Sequence, residues 1–170
     1  MEATNRERWK SVNGYANYEI SSCGRIRNAT TERMLKPSDS GYQVINLRKN
    51  GKSKTHYVHR LVAEAFVDNP TEKRTVDHID SDRRNNCLSN LRFASVAENS
   101  RTTKKRSDCS SLYKGVCWYE PYKKWYARCM VDRKRKHLGY FESEREAGEA
   151  YNRAAVDLHK EFARLNIFED

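Results

Sequence analysis

The sequence predicts an α+β protein built from small modules: an N-terminal β-rich motif, a central ββα unit, and a C-terminal three-stranded antiparallel sheet packed on one helix. Three observations lead there. Only 37% of residues are hydrophobic against 33% charged, with a mean hydropathy of -1.01, so the chain has little apolar material for one deep core and favours several shallow ones. Short segments of alternating polarity, punctuated by Gly14, Gly24, Gly41 and Gly51, fill the N-terminal part. A long amphipathic helical pattern occurs near the C-terminus, preceded by strand-like stretches.

Charge narrows the partner class. Lys and Arg number 33 and Asp and Glu 23, giving a net charge of +10 and a pI near 9.4, which points to a polyanion, with double-stranded DNA first. A membrane partner is not expected, because the chain has no long apolar run and no lipidation motif. The polar opening MEATNRERWK predicts no signal peptide. Cys23, Cys87, Cys109, Cys117 and Cys129 are odd in number, widely spaced and never arranged as C-x-x-C. They read as reduced thiols in a cytoplasmic or nucleoid-associated setting, with no structural zinc expected, so any metal should be catalytic. No obligate protein partner is evident, and a monomer is expected.

Residues 1–54 form the first expected module. YEIS (18–21), GRIRN (24–28), YQVINLR (42–48) and SKTHYV (53–58) alternate as half-buried strands do, and Asn50-Gly51 between the last two is a strong hairpin signal. Arg25, Arg27, Arg33 and Lys36 sit on or just after strands and can follow a phosphate backbone. The competing reading is a small structural sheet. Trp9, Tyr15 and Tyr18 are expected in its core, because a short sheet needs large side chains.

Residues 55–106 form the second expected module. In HRLVAEAFV the residues Leu61, Val62, Ala65 and Phe66 share a helical face, and Asn69-Pro70 closes the segment. VDHID (76–80) reads as a strand entering the polar turn SDRRNN, and NLRFAS (90–95) as its return strand. Ser95 and Glu98 have capping-box spacing for a helix carrying Asn99.

These residue types suit phosphodiester hydrolysis. Asp77 offers a carboxylate and Asn99 a neutral oxygen, a pair that suits magnesium or manganese. His78 follows Asp77 directly, so on an extended chain its imidazole projects to the other side, where it can activate water. Asn90 would brace the loop. An Asp-His pair in a turn is by itself more often a solvated cap, but the Asn-rich turn and the helix carrying Asn99 in one unit favour a site. His59 suits either a packing role or support of the site and contact with phosphate. Arg60 and Arg92 can hold phosphate oxygens, although exposed arginines on a basic chain are often only solvated.

The pattern HRLVAEAF…VDHID…RRNN…NLR…ENS resembles the HNH homing endonucleases of phages and group I introns. The resemblance implies Asp77 and Asn99 as metal ligands, His78 as general base and Asn90 as the structural asparagine. The third motif position is Asn99 instead of histidine, which homing-type members share and which implies an oxygen-rich site. Residues 9–27, W-K-x-V-x-G-Y-x-x-Y-E-I-S-x-x-G-R-I-R, resemble the small nuclease-associated modular motif that precedes such centres and helps bind DNA.

Arg101, Lys104, Lys105 and Arg106 lead into an expected linker at 107–112, either a DNA-adhering or a solvated tether. Residues 113–170 read as strands YKGVCWYE, KKWYARCMVD and KRKHLGYF, then a helix from about Ser143 to Leu158 with Ser143 and Glu146 in a capping box. Its apolar stripe buries one sheet face. The strands carry Lys114, Lys123, Lys124, Arg128, Arg133, Lys134, Arg135 and Lys136, so the free face is expected to meet DNA. YKGV, KW, HLGYF, EAGEAYNRAA and LN resemble the plant ethylene-response-factor (APETALA-type) DNA-binding domain, which lays its sheet in the major groove. The resemblance implies Lys114, Trp118, Lys124, Trp125 and Arg128 as DNA contacts, with Cys117 and Met130 where that family has base-reading arginines.

The expected function is a site-specific homing-type DNA endonuclease, hydrolysing phosphodiester bonds with one divalent metal and a histidine base, and nicking one strand. The rival is a non-catalytic sequence-specific DNA-binding regulator. RNA binding is weaker, since no RNA-recognition signature is present.

Overall fold

The computed structural model describes residues 6–102, 110–131 and 134–168. Lys104, Lys105, Arg106, Cys109 and Arg133 lie outside the described residues. The chain divides into two compact units, Met1–Ser95 and Val96–Asp170.

The first unit opens with a four-stranded antiparallel sheet of β1 (Trp9–Val12), β2 (Tyr15–Ser21), β3 (Ile26–Asn28) and β4 (Met34–Leu35), in that order. A second antiparallel sheet follows, of β5 (Ser38–Asp39), β6 (Gln43–Lys49) and β7 (Lys52–Tyr57). Asn50 and Gly51 close the β6–β7 hairpin with φ of 49° and 74°, the positive values a tight hairpin turn requires. Helix α1 (Val58–Phe66) starts where β7 stops and buries Val58, Leu61 and Val62. It ends at Phe66, before Asn69-Pro70 is reached, because Val67 is already extended. Then β8 (Thr75–His78) pairs with β9 (Leu91–Ala94) in register Asp77↔Arg92 and His78↔Leu91.

One core holds these parts together: Val12, Ile20, Ile26, Ile45, Leu47, Val58, Leu61, Val62 and Leu91. It draws on residues from both sides of 54/55, and the boundary expected there falls within β7. Short sheets bury too little by themselves, so the first two expected modules share one apolar interior instead of keeping separate shallow ones. Tyr15 and Tyr18 pack against this core. Trp9 instead lies beneath Arg25 and Arg27, whose guanidinium carbons are 5.8 and 4.3 Å from its ring centre.

The second unit begins with α2 (Val96–Arg101), followed by the antiparallel sheet β10 (Val116–Tyr119), β11 (Lys124–Val131) and β12 (Lys134–Phe141). Helix α3 (Glu144–His159) packs on that sheet. Its N-terminus is a capping box, Glu146 N donating to Ser143 Oγ at 3.1 Å and Ser143 N to Glu146 Oε2 at 3.3 Å. Ala147, Tyr151 and Ala155 of α3 are buried with Val116, Ala127 and Cys129 of the sheet. Cys23, Cys87, Cys117 and Cys129 are free thiols.

Strand alternation sorts the sheet faces. Val116 and Ala127 pair on the buried side, so Trp118 and Trp125, which pair with each other two residues along, lie on the helix side as well. Cys117, Tyr119, Lys124, Tyr126, Arg128 and Met130 therefore point to the free face.

Because α1 and the first sheet share one core, Ile20→Ala should lower stability by about 3 kcal/mol in urea unfolding. It should also reduce hydrogen-exchange protection in α1 as much as in β2.

Candidate active site

Asp77 and His78 end β8 on opposite sides of the strand, and both are buried, 5% and 6% exposed. The register places Arg92 directly across from Asp77. Its Nε and Nη2 donate to Asp77 Oδ2 at 3.0 and 2.8 Å. Arg92, expected as a phosphate contact, is thus seated on the carboxylate by cross-strand pairing. A buried carboxylate needs a charged partner, and the guanidinium supplies it.

The His78 side chain is hydrogen-bonded through Nε2 to Asn86 Oδ1 at 3.1 Å. The direction follows from the far side of the Asn86 amide. Its Nδ2 reaches Gln43 Oε1 at 2.9 Å and the backbone carbonyl of Arg84 at 3.3 Å. A carbonyl only accepts, so the amide nitrogen must face Arg84 and the amide oxygen must face His78. In the neutral ring His78 Nε2 then carries the proton, and Nδ1 keeps its lone pair. Asn86 is 3% exposed, and Gly24 lies against it: a Cβ on Gly24 would come within 2.9 Å of Asn86 Cβ, at a φ of +80°.

The turn between the strands is tied by Asn90. Its Oδ1 accepts from Asp80 N at 2.9 Å, and its Nδ2 donates to Asp80 Oδ1 at 2.9 Å and to the Asn85 carbonyl at 2.8 Å. Asn85 Nδ2 adds a bond to Asp80 Oδ2 at 2.7 Å. Burial works to raise the Asp80 carboxyl, but hydrogen bonds from Asn85, the Asp82 backbone and Asn90, with the field of His78, leave it below its ordinary range.

His59, from the first turn of α1, packs its ring 5.1 Å from that of His78 and 5.1 Å from that of Tyr42. It is 8% exposed, and its Nδ1 is buried with no hydrogen-bond partner among the described residues. Burial first, then the His78 and Arg60 charges, depress its pKa to about 4. Neither Asn86 nor Gln43 was singled out by local sequence signals as a site residue. Asn86 lay within the Asn-rich turn, whereas Gln43 reaches the site from a different sheet.

Asn99 lies on α2, within the unit that begins at Val96, and its carbonyl accepts from Thr102 Oγ1 at 2.8 Å. Arg60 is exposed beside Glu64 at 3.7 Å. Arg25 is paired with Glu7, and Arg27 with Glu19 at 2.7 Å and Glu32 at 3.5 Å. Lys114 is half-buried, donates to the Arg101 carbonyl, and is pushed down to about 8 by burial and by the Arg164 charge. Trp125 packs with the second unit's core, and Trp118 donates its Nε1–H to Glu120 Oε2 at 2.6 Å. Lys124 lies 2.8 Å from Glu142.

Among the described residues no group of three or more His, Cys, Asp or Glu side chains is arranged to hold a metal. The Asp77 carboxylate and the Asn99 amide oxygen are each donors of the type that suits a hard divalent cation.

Two family models match this chain. Residues 7–48 match the NUMOD4 motif, and residues 56–101 match an HNH endonuclease model that takes in Asp77, His78, Asn86, Asn90 and Asn99. Residues 56–101 are thus similar to an HNH endonuclease domain. DNA endonuclease I-HmuI of Bacillus phage SP01 is 42% identical over 89 residues, 50% of this chain and 51% of that protein. HNH endonuclease L245 of Acanthamoeba polyphaga mimivirus is 42% identical over 93 residues, 54% of this chain and 28% of that protein. H-N-H endonuclease F-TflII of Escherichia phage T5 is 30% identical over 89 residues, 50% of this chain and 46% of its own length. The matched part of the chain thus spans about half the length of these relatives or less. A solved structure concerned with DNA binding and cleavage by the HNH homing endonuclease I-HmuI superposes with a TM-score of 0.53 at 29% identity, covering 90% of this chain and 91% of that one. The segment similar to the HNH model lies in a mixed α/β chain of several sheets and few helices, similar to I-HmuI.

With a folded pKa near 4 against 6.5 when unfolded, His59 takes up its proton only on unfolding between those values. Stability should therefore fall as pH drops from about 6.5 to about 4, and His59→Phe should flatten that slope in urea titrations run across the range.

Proposed function

We propose that this chain is a site-specific, homing-type DNA endonuclease that hydrolyses one strand of double-stranded DNA. The observation that carries the reading is His78, held by Asn86 with Nδ1 as the basic nitrogen beside a buried carboxylate, within the segment that matches the HNH model. The NUMOD4 match and the solved I-HmuI structure support DNA as the substrate.

His78 Nδ1 takes a proton from water, whose oxygen attacks phosphorus while the bond to the 3′ oxygen breaks. Asn86 holds the imidazole in the tautomer this requires, and Gln43 with the Arg84 carbonyl holds Asn86. Asn90 keeps the turn that carries Asn86 in shape. Asp77 and Asn99 would hold a divalent cation, magnesium or manganese, which when bound stabilises charge on the departing oxygen. Arg92 holds the Asp77 carboxylate in orientation. His59 is neutral above its depressed pKa and places no second positive charge beside the base.

Modules serve recognition in this reading. Residues 1–54, with Arg25 and Arg27 oriented by their glutamates and Trp9, and Arg60 on the exposed side of α1 supply phosphate contacts. Residues 113–170 act as a module of the ethylene-response-factor type. Lys124 and Arg128 of its free face meet the DNA, and Trp118, Trp125 and Lys114 hold the module together. The chain acts as a monomer, in the cytoplasm or on the nucleoid.

Supercoiled plasmid bearing a target tests the reading. With magnesium or manganese, open circles should form before linear product. EDTA should abolish cutting, His78→Ala should reduce it by roughly 100-fold or more, and Asn86→Leu should reduce it less and lower stability as well. DNA binding without any cutting would favour the non-catalytic regulator, for which Asp77 closed by Arg92 would be the resting arrangement.

A further inference from the structure

Two thiols of the first unit stand side by side. Cys23 lies in the turn between β2 and β3, and Cys87 sits in extended backbone, φ -66° and ψ 140°, just before the short 3-10 turn Leu88–Asn90. Backbone contacts bracket the pair. On one side Leu88 N donates to the Ser22 carbonyl at 2.8 Å, and on the other Gly24 packs against Asn86, where a Cβ on Gly24 would come within 2.9 Å of Asn86 Cβ. Between these two contacts the Cys23 and Cys87 side chains are hydrogen-bonded to each other. Each backbone is also tied locally, Cys23 N donating to Ser21 Oγ at 3.2 Å and Cys87 N to Asn85 Oδ1 at 3.4 Å.

A disulfide forms only where two backbones already lie close together and their side chains converge. The bracketing contacts supply the first condition and the thiol contact the second. Neither cysteine belongs to the first unit's apolar core, so packing there does not call for them. Their surroundings differ. Cys23 is exposed, whereas Cys87 is half-buried, and burial together with the neighbouring Cys23 pushes its thiol up. Cys23 is therefore the sulfur that an oxidant reaches from solution, and Cys87 is the sulfur placed to attack it next.

We propose that Cys23 and Cys87 are a modification site that closes as a reversible disulfide, with glutathione disulfide as the oxidant, and braces the turn carrying Asn86. The Cys23 thiolate attacks one sulfur of glutathione disulfide, a bond from Cys23 to glutathione forms, and one glutathione thiolate leaves. The Cys87 thiolate then attacks the Cys23 sulfur, the Cys23–Cys87 bond forms, and the second glutathione thiolate leaves. The two cysteine protons end on the two glutathiones, so two thiols are oxidised as one disulfide is reduced. The link removes freedom from the unfolded chain between residues 23 and 87 and ties the Asn86 turn to the loop before β3. It is thiol chemistry alone and stands whether or not the chain cuts DNA.

The test incubates the full chain with glutathione disulfide, alkylates the remaining thiols under denaturing conditions and reads a tryptic digest by mass spectrometry. Peptides 11–25 and 85–92, which carry Cys23 and Cys87, should appear joined, and dithiothreitol should part them. Cys87→Ser should stop at the mixed disulfide of Cys23 with glutathione. The oxidised chain should unfold at a midpoint roughly 5 °C or more above that of the reduced chain and should exchange the Leu88 amide hydrogen more slowly. Cys23→Ser, checked for folding by circular dichroism, should show neither change after the same treatment. Absence of the joined peptides, or their appearance only in chains linked to one another on a non-reducing gel, would overturn the pairing. A joined chain with the midpoint and Leu88 exchange of the reduced one would overturn the brace.

Discussion

Asn86 is the point where the first unit's separate segments are made to agree. Its Cβ rests against Gly24 in the loop before β3, its amide nitrogen is bonded to Gln43 at the start of β6, and its amide oxygen holds His78 at the end of β8. A buried amide that lost any of these partners would pay the desolvation cost of an unmet donor or acceptor. The network therefore constrains the relative placement of the two larger sheets of the first unit and the β8–β9 hairpin. The shared core supplies the energy that brings them together, and Asn86 supplies the specificity of how they meet.

Charge placement follows the same economy. Asp77 and Arg92 neutralise one another across two strands, and hydrogen bonds in the Asn90-tied turn, with the field of His78, hold the Asp80 carboxyl below its ordinary range. Beside them His59 is kept neutral by burial, so the imidazole next to the base adds no positive charge that would oppose its taking up a proton. Arg25 and Arg27, for all the chain's basic excess, are aligned by acidic partners and the Trp9 ring, which fixes their geometry without removing their charge.

Local signals carried much of the architecture. Asn50-Gly51 needs positive φ at both positions, Ser143 and Glu146 cap reciprocally, and the 3.6-residue period marked α1 and α3, so these elements were legible from a few residues each. Asp77, His78, Asn90 and Asn99 were likewise visible as residue types suited to one chemistry. What escaped was nonlocal. Gln43 meets Asn86 across 43 positions, and no periodicity encodes such a contact. The pairing of Arg92 with Asp77 depends on strand register, which also decides that Trp118 and Trp125 face the helix while tyrosines occupy the opposite face. The common core of the first two segments was hidden for the same reason, since composition reports how much apolar material exists and not which segments pool it.

The orientation of the base is the central claim, and the ring nitrogens of His78 test it most directly. In long-range proton–nitrogen correlation spectra at a pH where the ring is neutral, Nε2 should carry the proton and Nδ1 should show the shift of an unprotonated nitrogen. Substitution of Gln43 by leucine should weaken that preference. A His78 ring protonated on Nδ1, or one that interconverts freely between tautomers, would contradict the account.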